Sequence, residues 1–163
     1  MKSMDTLTTL FSHNLWANRQ LLERCAELSR EQLDATVFGT YGSIRDTLLH
    51  FVLAERGYYT RISTGERYHR PKDADSMTIQ EMIAFVEETG SGLIEWAQKV
   101  GVEDKVVVDS DGMPLEVPKT VILTQAINHA TEHRAQVMVI MTQLGVQPPE
   151  LDAWTYFDHL EKK

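Results

Sequence analysis

Apolar residues recur along most of the chain at the three- and four-residue spacing of an amphipathic helix. Thr78 with Glu81 forms a capping box at one predicted helix start, and Ser43 with Asp46 marks another. Gly145 ends the last long pattern. The spacing therefore predicts four long helices, over residues 6–28, 43–63, 78–100 and 119–144.

The segments between these helices carry different signals. The residues KVVVDSDGMPLEV predict two short strands joined at Asp111 and Gly112. Ser29 with Gln32 predicts a short helical turn, and DAWTYFDHL predicts a last short helix. Four long helices, with a β-hairpin between the third and the fourth, are typical of an all-α four-helix bundle. We expect one such domain over residues 1–163, because this length is ordinary for a domain.

The composition disfavours several classes of protein. Asp plus Glu number 24 against 16 for Lys plus Arg, and the net charge of −8 disfavours binding to nucleic acid or to an anionic membrane. The single cysteine, Cys25, excludes a disulfide framework and a multi-cysteine zinc site, and we expect it in the core. No apolar run is long enough to span a membrane, and the amino-terminal segment lacks the apolar centre of a signal peptide. We therefore expect a cytoplasmic protein.

Three histidines lie on helix faces that the pattern predicts to be buried. His129 and His133 are four residues apart, so their side chains share the apolar face of the fourth helix. His50 lies in the most apolar part of the second helix, where an unpaired imidazole is costly. Three neutral imidazoles with a water molecule form a catalytic zinc arrangement, so the pattern indicates a metal site. The alternative is that buried acids hydrogen-bond the histidines.

Neighbouring polar residues suggest further roles. Asp46, one turn before His50, and Gln136, three residues after His133, could accept a hydrogen bond from the second ring nitrogen of a ligand. Glu132 completes the sequence H-A-T-E-H, which fits the H-x-x-E-H pattern of inverted zinc peptidases. A zinc hydrolase with Glu132 as general base is therefore an alternative to Glu132 as a solvated surface residue.

A basic run stands out in this acidic chain. Most such runs are solvated loops, but this one could collect an anionic thiol near the mouth of the bundle. Its members are Arg56, Arg61, Arg67, Arg70 and Lys72. The other histidines lie in polar contexts and are expected to be exposed: His13, His69 and His159.

Three segments resemble the DinB/YfiT-like family. They read HNLWANRQLL at 13–22, SIRDTLLHFVLAERGYY at 43–59 and NHATEHRAQVMVIMTQLG at 128–145. Their order and spacing match the family over essentially the whole chain. The most specific element is H-x-x-x-H-R-x-Q, paired with the histidine of T-L-L-H. Its residues here are His129, His133, Arg134 and Gln136.

The resemblance implies an up-down-down-up four-helix bundle, often a homodimer, that binds a divalent metal through His50, His129 and His133. Members of the family include bacillithiol transferases and mycothiol-dependent isomerases, and many members have no assigned reaction. We therefore predict a zinc- or nickel-dependent enzyme whose partners are a low-molecular-weight thiol and an electrophile. The competing prediction is a non-catalytic metal-binding protein of a stress response.

Overall fold

The computed structural model describes residues 5–110 and 112–162. Most of these residues are helical, and the two strands form one small antiparallel sheet. The elements are α1 (Thr6–Cys25), α2 (Arg30–Leu33), α3 (Ile44–Thr64), α4 (Ile79–Ala97), β1 (Lys105–Ser110), β2 (Met113–Pro118), α5 (Lys119–Gln143) and α6 (Ala153–Glu161), with a 3-10 turn at Ala74–Ser76. The all-α prediction is confirmed in this coarse form: a mostly helical chain with one small hairpin.

The helix starts follow their capping residues. The side chains of Ser29, Ser43 and Thr78 each accept a hydrogen bond from the backbone N–H three residues later, and all three capping boxes are complete. α1 ends at Cys25 rather than at residue 28, because the next residues turn the chain toward the cap of α2. α4 likewise ends at Ala97, three residues before its predicted end. The sequence thus predicted the starts of the helices better than their ends.

The four long helices pack against one another in a closed ring. α1 packs on α4 and α5, and α3 packs on the same two helices. Two apolar clusters fill the interior. One contains Leu21, Leu48, Met82 and Ile140, near the end of α1 and α5 and the start of α3 and α4. The other contains residues near the opposite helix ends: Phe11, Ile62, Leu93 and Ile122.

The hairpin closes one end of this interior. β1 pairs with β2 in antiparallel register, with Val106 opposite Val117, and Val106 is buried in the second apolar cluster. At the predicted turn, Gly112 has a φ of 80°, a left-handed conformation that favours glycine. The other predicted turn residue, Asp111, lies outside the described residues. Within the described residues, no helix is long and apolar enough to cross a membrane.

We expect Gly92→Ala to destabilise the protein by about 1–3 kcal/mol, because a Cβ at this position of α4 would overlap the ring of Tyr59 on α3. The matched substitution Gly57→Ala adds a methyl group inside α3 where no heavy atom lies within 4 Å. It should stabilise the protein by about 0.5–1 kcal/mol through the lower helix propensity of glycine. Urea unfolding followed by circular dichroism measures both effects. Equal effects of the two substitutions would contradict close packing at Gly92.

Candidate metal centre

The three predicted histidines come together between α3 and α5. His50 lies on α3, and His129 and His133 lie one turn apart on α5. The Nε2 atom of His129 is 3.1 Å from Nε2 of His50 and 3.2 Å from Nε2 of His133. The ligand nitrogens of all three residues lie within 4.8 Å of one another. Two helices therefore direct three imidazoles toward one point.

These spacings fit a metal ion. Two imidazole nitrogens bound to zinc at about 2.0–2.1 Å, with ligand angles between octahedral and tetrahedral, lie about 2.8–3.4 Å apart. Hydrogen bonds alone explain the arrangement less well, since a neutral His129 has one N–H and its Nε2 faces two other ring nitrogens. His133 is buried, whereas His50 and His129 are half-buried, so one side of the cluster is open. The residues present could hold a metal ion with an accessible position.

Of the two residues predicted to accept a hydrogen bond from the second ring nitrogen of a histidine, one does so in the structure. Oε1 of Gln136 lies 2.9 Å from Nδ1 of His133. An amide oxygen only accepts, so Nδ1 carries the hydrogen and the Nε2 lone pair is free for a metal. Asp46 is not a partner of His50: its carboxylate accepts from the backbone N–H of Ser43 and completes the cap of α3. That interpretation of Asp46 was wrong, because a helix start offers unpaired N–H groups closer to the carboxylate.

The surroundings of His50 and His129 favour the neutral form of both side chains. Burial, reinforced by the neighbouring His133 and His50, lowers the pKa of His129 to about 4. Burial also lowers the pKa of His50, with smaller contributions from His133 and Arg70. Only a neutral imidazole binds a metal, so at neutral pH these side chains are in the ligating form.

Two tyrosines flank the cluster, and the sequence analysis missed both. Tyr41, in the loop before α3, stacks on the ring of His50 with centroids 4.1 Å apart and meets His133 edge-on. Its backbone N–H also points to Oε1 of Gln136, at 3.3 Å. Tyr58 lies edge-on to His129 at 5.8 Å. Eight residues separate Tyr58 from His50 on one helix, a spacing that could have indicated a shared face. Tyr41 lies in an irregular loop, where there is no sequence periodicity from which the direction of a side chain could be predicted.

A buried polar layer lies beside the centre, between the two apolar clusters. Glu55 on α3 accepts hydrogen bonds from Nδ2 of Asn14 and Asn18 on α1, at 3.2 and 2.9 Å. Thr89 on α4 donates to its other oxygen at 2.7 Å. Arg134 on α5 donates to Oδ1 of the same two asparagines, at 2.7 and 2.5 Å. Two amides thus bridge a carboxylate and a guanidinium, and the layer joins all four long helices.

This layer is costly to bury and well satisfied. Glu55 is 1% exposed and Arg134 is 4% exposed. Burial raises the pKa of Glu55, and it lowers the pKa of Arg134 to about 10, while each charge partly offsets the shift of the other. Arg134 follows the ligand candidate His133 directly, so the layer also fixes this turn of α5. Glu55 was missed, although a carboxylate in an apolar helix is the same signal that identified His50.

The remaining predicted residues have mixed outcomes. Glu132 is exposed and its carboxylate lies 3.5 Å from Nε2 of Gln136. Cys25 is fully buried, as predicted, and burial raises the pKa of its thiol to about 12. His69 is exposed, as predicted. His13 and His159 are instead half-buried, because α6 folds back on α1: both rings contact Trp16, and Nε2 of His13 lies 2.7 Å from the carbonyl of Leu151.

The basic run divides into two groups. Arg56 makes two 2.7 Å hydrogen bonds to Glu88 and covers the ring of Phe85, and Arg70 pairs with Asp75. Arg61 and Arg67 line a cavity near the histidines. The run is therefore not one patch: two of its five members are paired with acids, and two others line this cavity.

Comparison with known proteins identifies the family of this chain. Residues 2–162 match the model of the DinB family. The chain is also 20% identical over 162 residues to Protein DinB of Bacillus subtilis (strain 168), in an alignment that covers 93% of this chain and 94% of that protein. Since the family match extends over nearly the whole length, from α1 through α6, the chain belongs to the DinB family.

Proposed function

We propose that this protein is a metalloenzyme that holds zinc or nickel on His50, His129 and His133 and acts on a low-molecular-weight thiol. The observation that carries the proposal is the convergence of three imidazole nitrogens in a half-buried site. A bound divalent metal would lower the pKa of a coordinating thiol and so provide a nucleophile at neutral pH.

The chain's own residues support this role in distinct ways. Gln136 orients His133 through the Nδ1 hydrogen bond and fixes its tautomer. Tyr41 covers one face of His50 and shields that ligand from water, while Tyr41 as a residue remains 54% exposed. The polar layer of Glu55 and Arg134 holds the middle of α3 and α5 in register beneath the ligands. Together these contacts favour a rigid site with one open side.

The packing also favours the up-down-down-up bundle of this proposal. The start of α1 and the start of α5 share one apolar cluster with the ends of α3 and α4. The opposite ends of the same helices share the other cluster. α1 and α5 therefore run in one direction and α3 and α4 in the other. A long connection from α3 to α4 is what such a topology requires.

Turnover distinguishes an enzyme from a non-catalytic metal-binding protein. The zinc- and nickel-loaded proteins are assayed with a panel of small thiols and the electrophile monobromobimane, and we expect product to form faster than in the uncatalysed reaction. The control is His69→Ala, which removes an exposed histidine outside the site and should leave the rate unchanged. A rate equal to that of free metal, with every thiol of the panel, would contradict thiol transfer.

Acid should release the metal. Protons compete with the metal for the imidazoles, whose reference pKa is about 6.5. Without metal, the pKa of His129 is about 4, so protons compete with the metal for this ligand only at lower pH. The fraction of sites that hold metal should therefore decline as pH falls below about 6. Equilibrium dialysis with elemental analysis at stepped pH measures the loss. Full retention in acid, with release only at alkaline pH, would contradict histidine ligation.

A further inference from the structure

A cavity of about 420 Å³ lies between α3 and α5, the two helices that carry the histidines. Its apolar wall comes from both helices and from β1. Its polar wall comes from the end of α3 and the segment that follows it. The residues that line it include Leu53, Tyr58, Arg61, Arg67, Tyr68 and Ile122. We refer to this cavity as the arginine recess.

The arginine recess borders the candidate metal centre. Tyr58 forms part of its wall and also contacts the ring of His129 edge-on. Leu53 lies three residues after His50, so it covers the next turn of the same helix face. The recess therefore begins about one turn from the ligands and continues along α3 toward Arg61.

The charge of the recess is opposite to that of the chain. The protein carries −8, yet none of the described residues that line the recess is acidic, and two are arginines. One donor of Arg61 bonds the carbonyl of Val107 at 3.2 Å, which holds the guanidinium beside β1 and leaves its other N–H groups for a ligand. Arg56 and Arg70, by contrast, are paired with Glu88 and Asp75. Within the described residues, Arg61 and Arg67 thus bring positive charge without an acidic partner to the recess.

From this arrangement we propose that the arginine recess binds an elongated carboxylate ligand. Its acid group meets Arg61 and Arg67, its apolar middle lies against Leu53 and Ile122, and its other end faces the histidines. A guanidinium matches a carboxylate with two parallel hydrogen bonds, and tyrosine rings cover an apolar chain without a charge of their own. Only the last part, the orientation toward the histidines, rests on the proposed function.

The length of the ligand follows from the helix. Arg61 is eleven residues beyond His50, which corresponds to about 16 Å along the axis at about 1.5 Å per residue. Long side chains on a helix tilt toward its N-terminus, so an arginine side chain can shorten this distance by several ångströms. A ligand with a two-carbon chain could therefore not contact both ends, whereas a chain of about eight carbons could.

Binding to the metal-free protein tests the recess alone. We compare octanoate with octanol by titration calorimetry, using the wild type, Arg61→Gln, Arg67→Gln and Arg19→Gln. Arg19 is the matched control, because it lines a different cavity, beside α6, and its loss changes the net charge equally. Octanoate should bind the wild type and Arg19→Gln alike, and each recess variant should weaken it about tenfold, the effect of one charged hydrogen bond. Equal binding of octanoate and octanol, or equal affinity of all three variants, would overturn the proposal.

Binding to the zinc-loaded protein tests the link to the centre. Mercaptooctanoate should bind more tightly than octanoate, mercaptoacetate or mercaptooctanol, since it alone contacts both ends. The advantage over mercaptooctanol should shrink about tenfold in Arg61→Gln and persist in full in Arg19→Gln. If mercaptooctanoate is no better than octanoate while octanoate still requires both arginines, the recess stands and the proposed thiol chemistry at the histidines fails. If the thiols bind but the carboxylate adds nothing, the recess proposal fails and the metal site stands.

Discussion

Replacing Arg134 with methionine should lower the free energy of unfolding by about 3–5 kcal/mol, the usual cost of removing one partner from a buried charge pair. Methionine fills a similar volume, so the loss reports polar rather than packing interactions. It would leave the Glu55 carboxylate without its buried countercharge and the Oδ1 atoms of Asn14 and Asn18 without the guanidinium donors. Urea unfolding followed by helical circular dichroism measures the change.

Two comparisons assign that loss to the polar layer. Arg30→Met removes an arginine whose side chain is 95% exposed and lies 3.7 Å from Asp34, and it should change stability by less than about 0.5 kcal/mol. The double variant Glu55→Leu with Arg134→Met should be more stable than the sum of the two single losses predicts, because it removes both buried charges. Strictly additive losses would show that Glu55 and Arg134 do not interact through the asparagines.

The sequence predicted those parts of the fold that local patterns determine. Every α-helix except α5, which follows Pro118, begins at a residue whose side chain caps it. Each long helix also repeats its apolar face over several turns, so the type and order of the elements followed from the chain alone. The same periodicity placed His50, His129 and His133 on inner faces. Their convergence could be inferred because three polar rings in apolar stripes need common partners.

Contacts between distant segments could not be predicted in this way. His13 lies in a polar stretch of α1, but α6 and the segment before it cover the ring through contacts with residues more than 130 positions later. Tyr41 covers His50 from an irregular loop, where no period fixes the direction of a side chain. Glu55 is different. The sequence shows that it lies in an apolar helix, but it does not show that its partners are on α1 and α5. Long-range partners, rather than element types, were thus what the sequence left open.

His129→Ala should weaken zinc binding by more than about a hundredfold, which exceeds the effect usually seen when only a hydrogen-bonding partner of a ligand is lost. The reason is geometric: Nε2 of His129 lies within 3.2 Å of the ligand nitrogens of both other histidines, so its loss leaves them without their shared neighbour. Competition with a chromophoric chelator measures the affinity. His69→Ala, which alters an exposed histidine outside the cluster, should bind zinc as the wild type does.

A graded variant separates a ligand from the residue that orients it. Gln136→Met removes the acceptor for Nδ1 of His133 and should cost about 10- to 100-fold in affinity, whereas Gln136→Glu keeps an acceptor and should retain most of it. The fold should survive in every variant, because the apolar clusters of the long helices lie on both sides of the polar layer and do not depend on a metal.

Chelation should accordingly lower the melting temperature, as expected on removal of a ligand of the native state, and leave the helical circular dichroism intact. Unfolding on chelation at room temperature would instead make the metal a structural element with no open position, and the basis for chemistry at His129 would be lost.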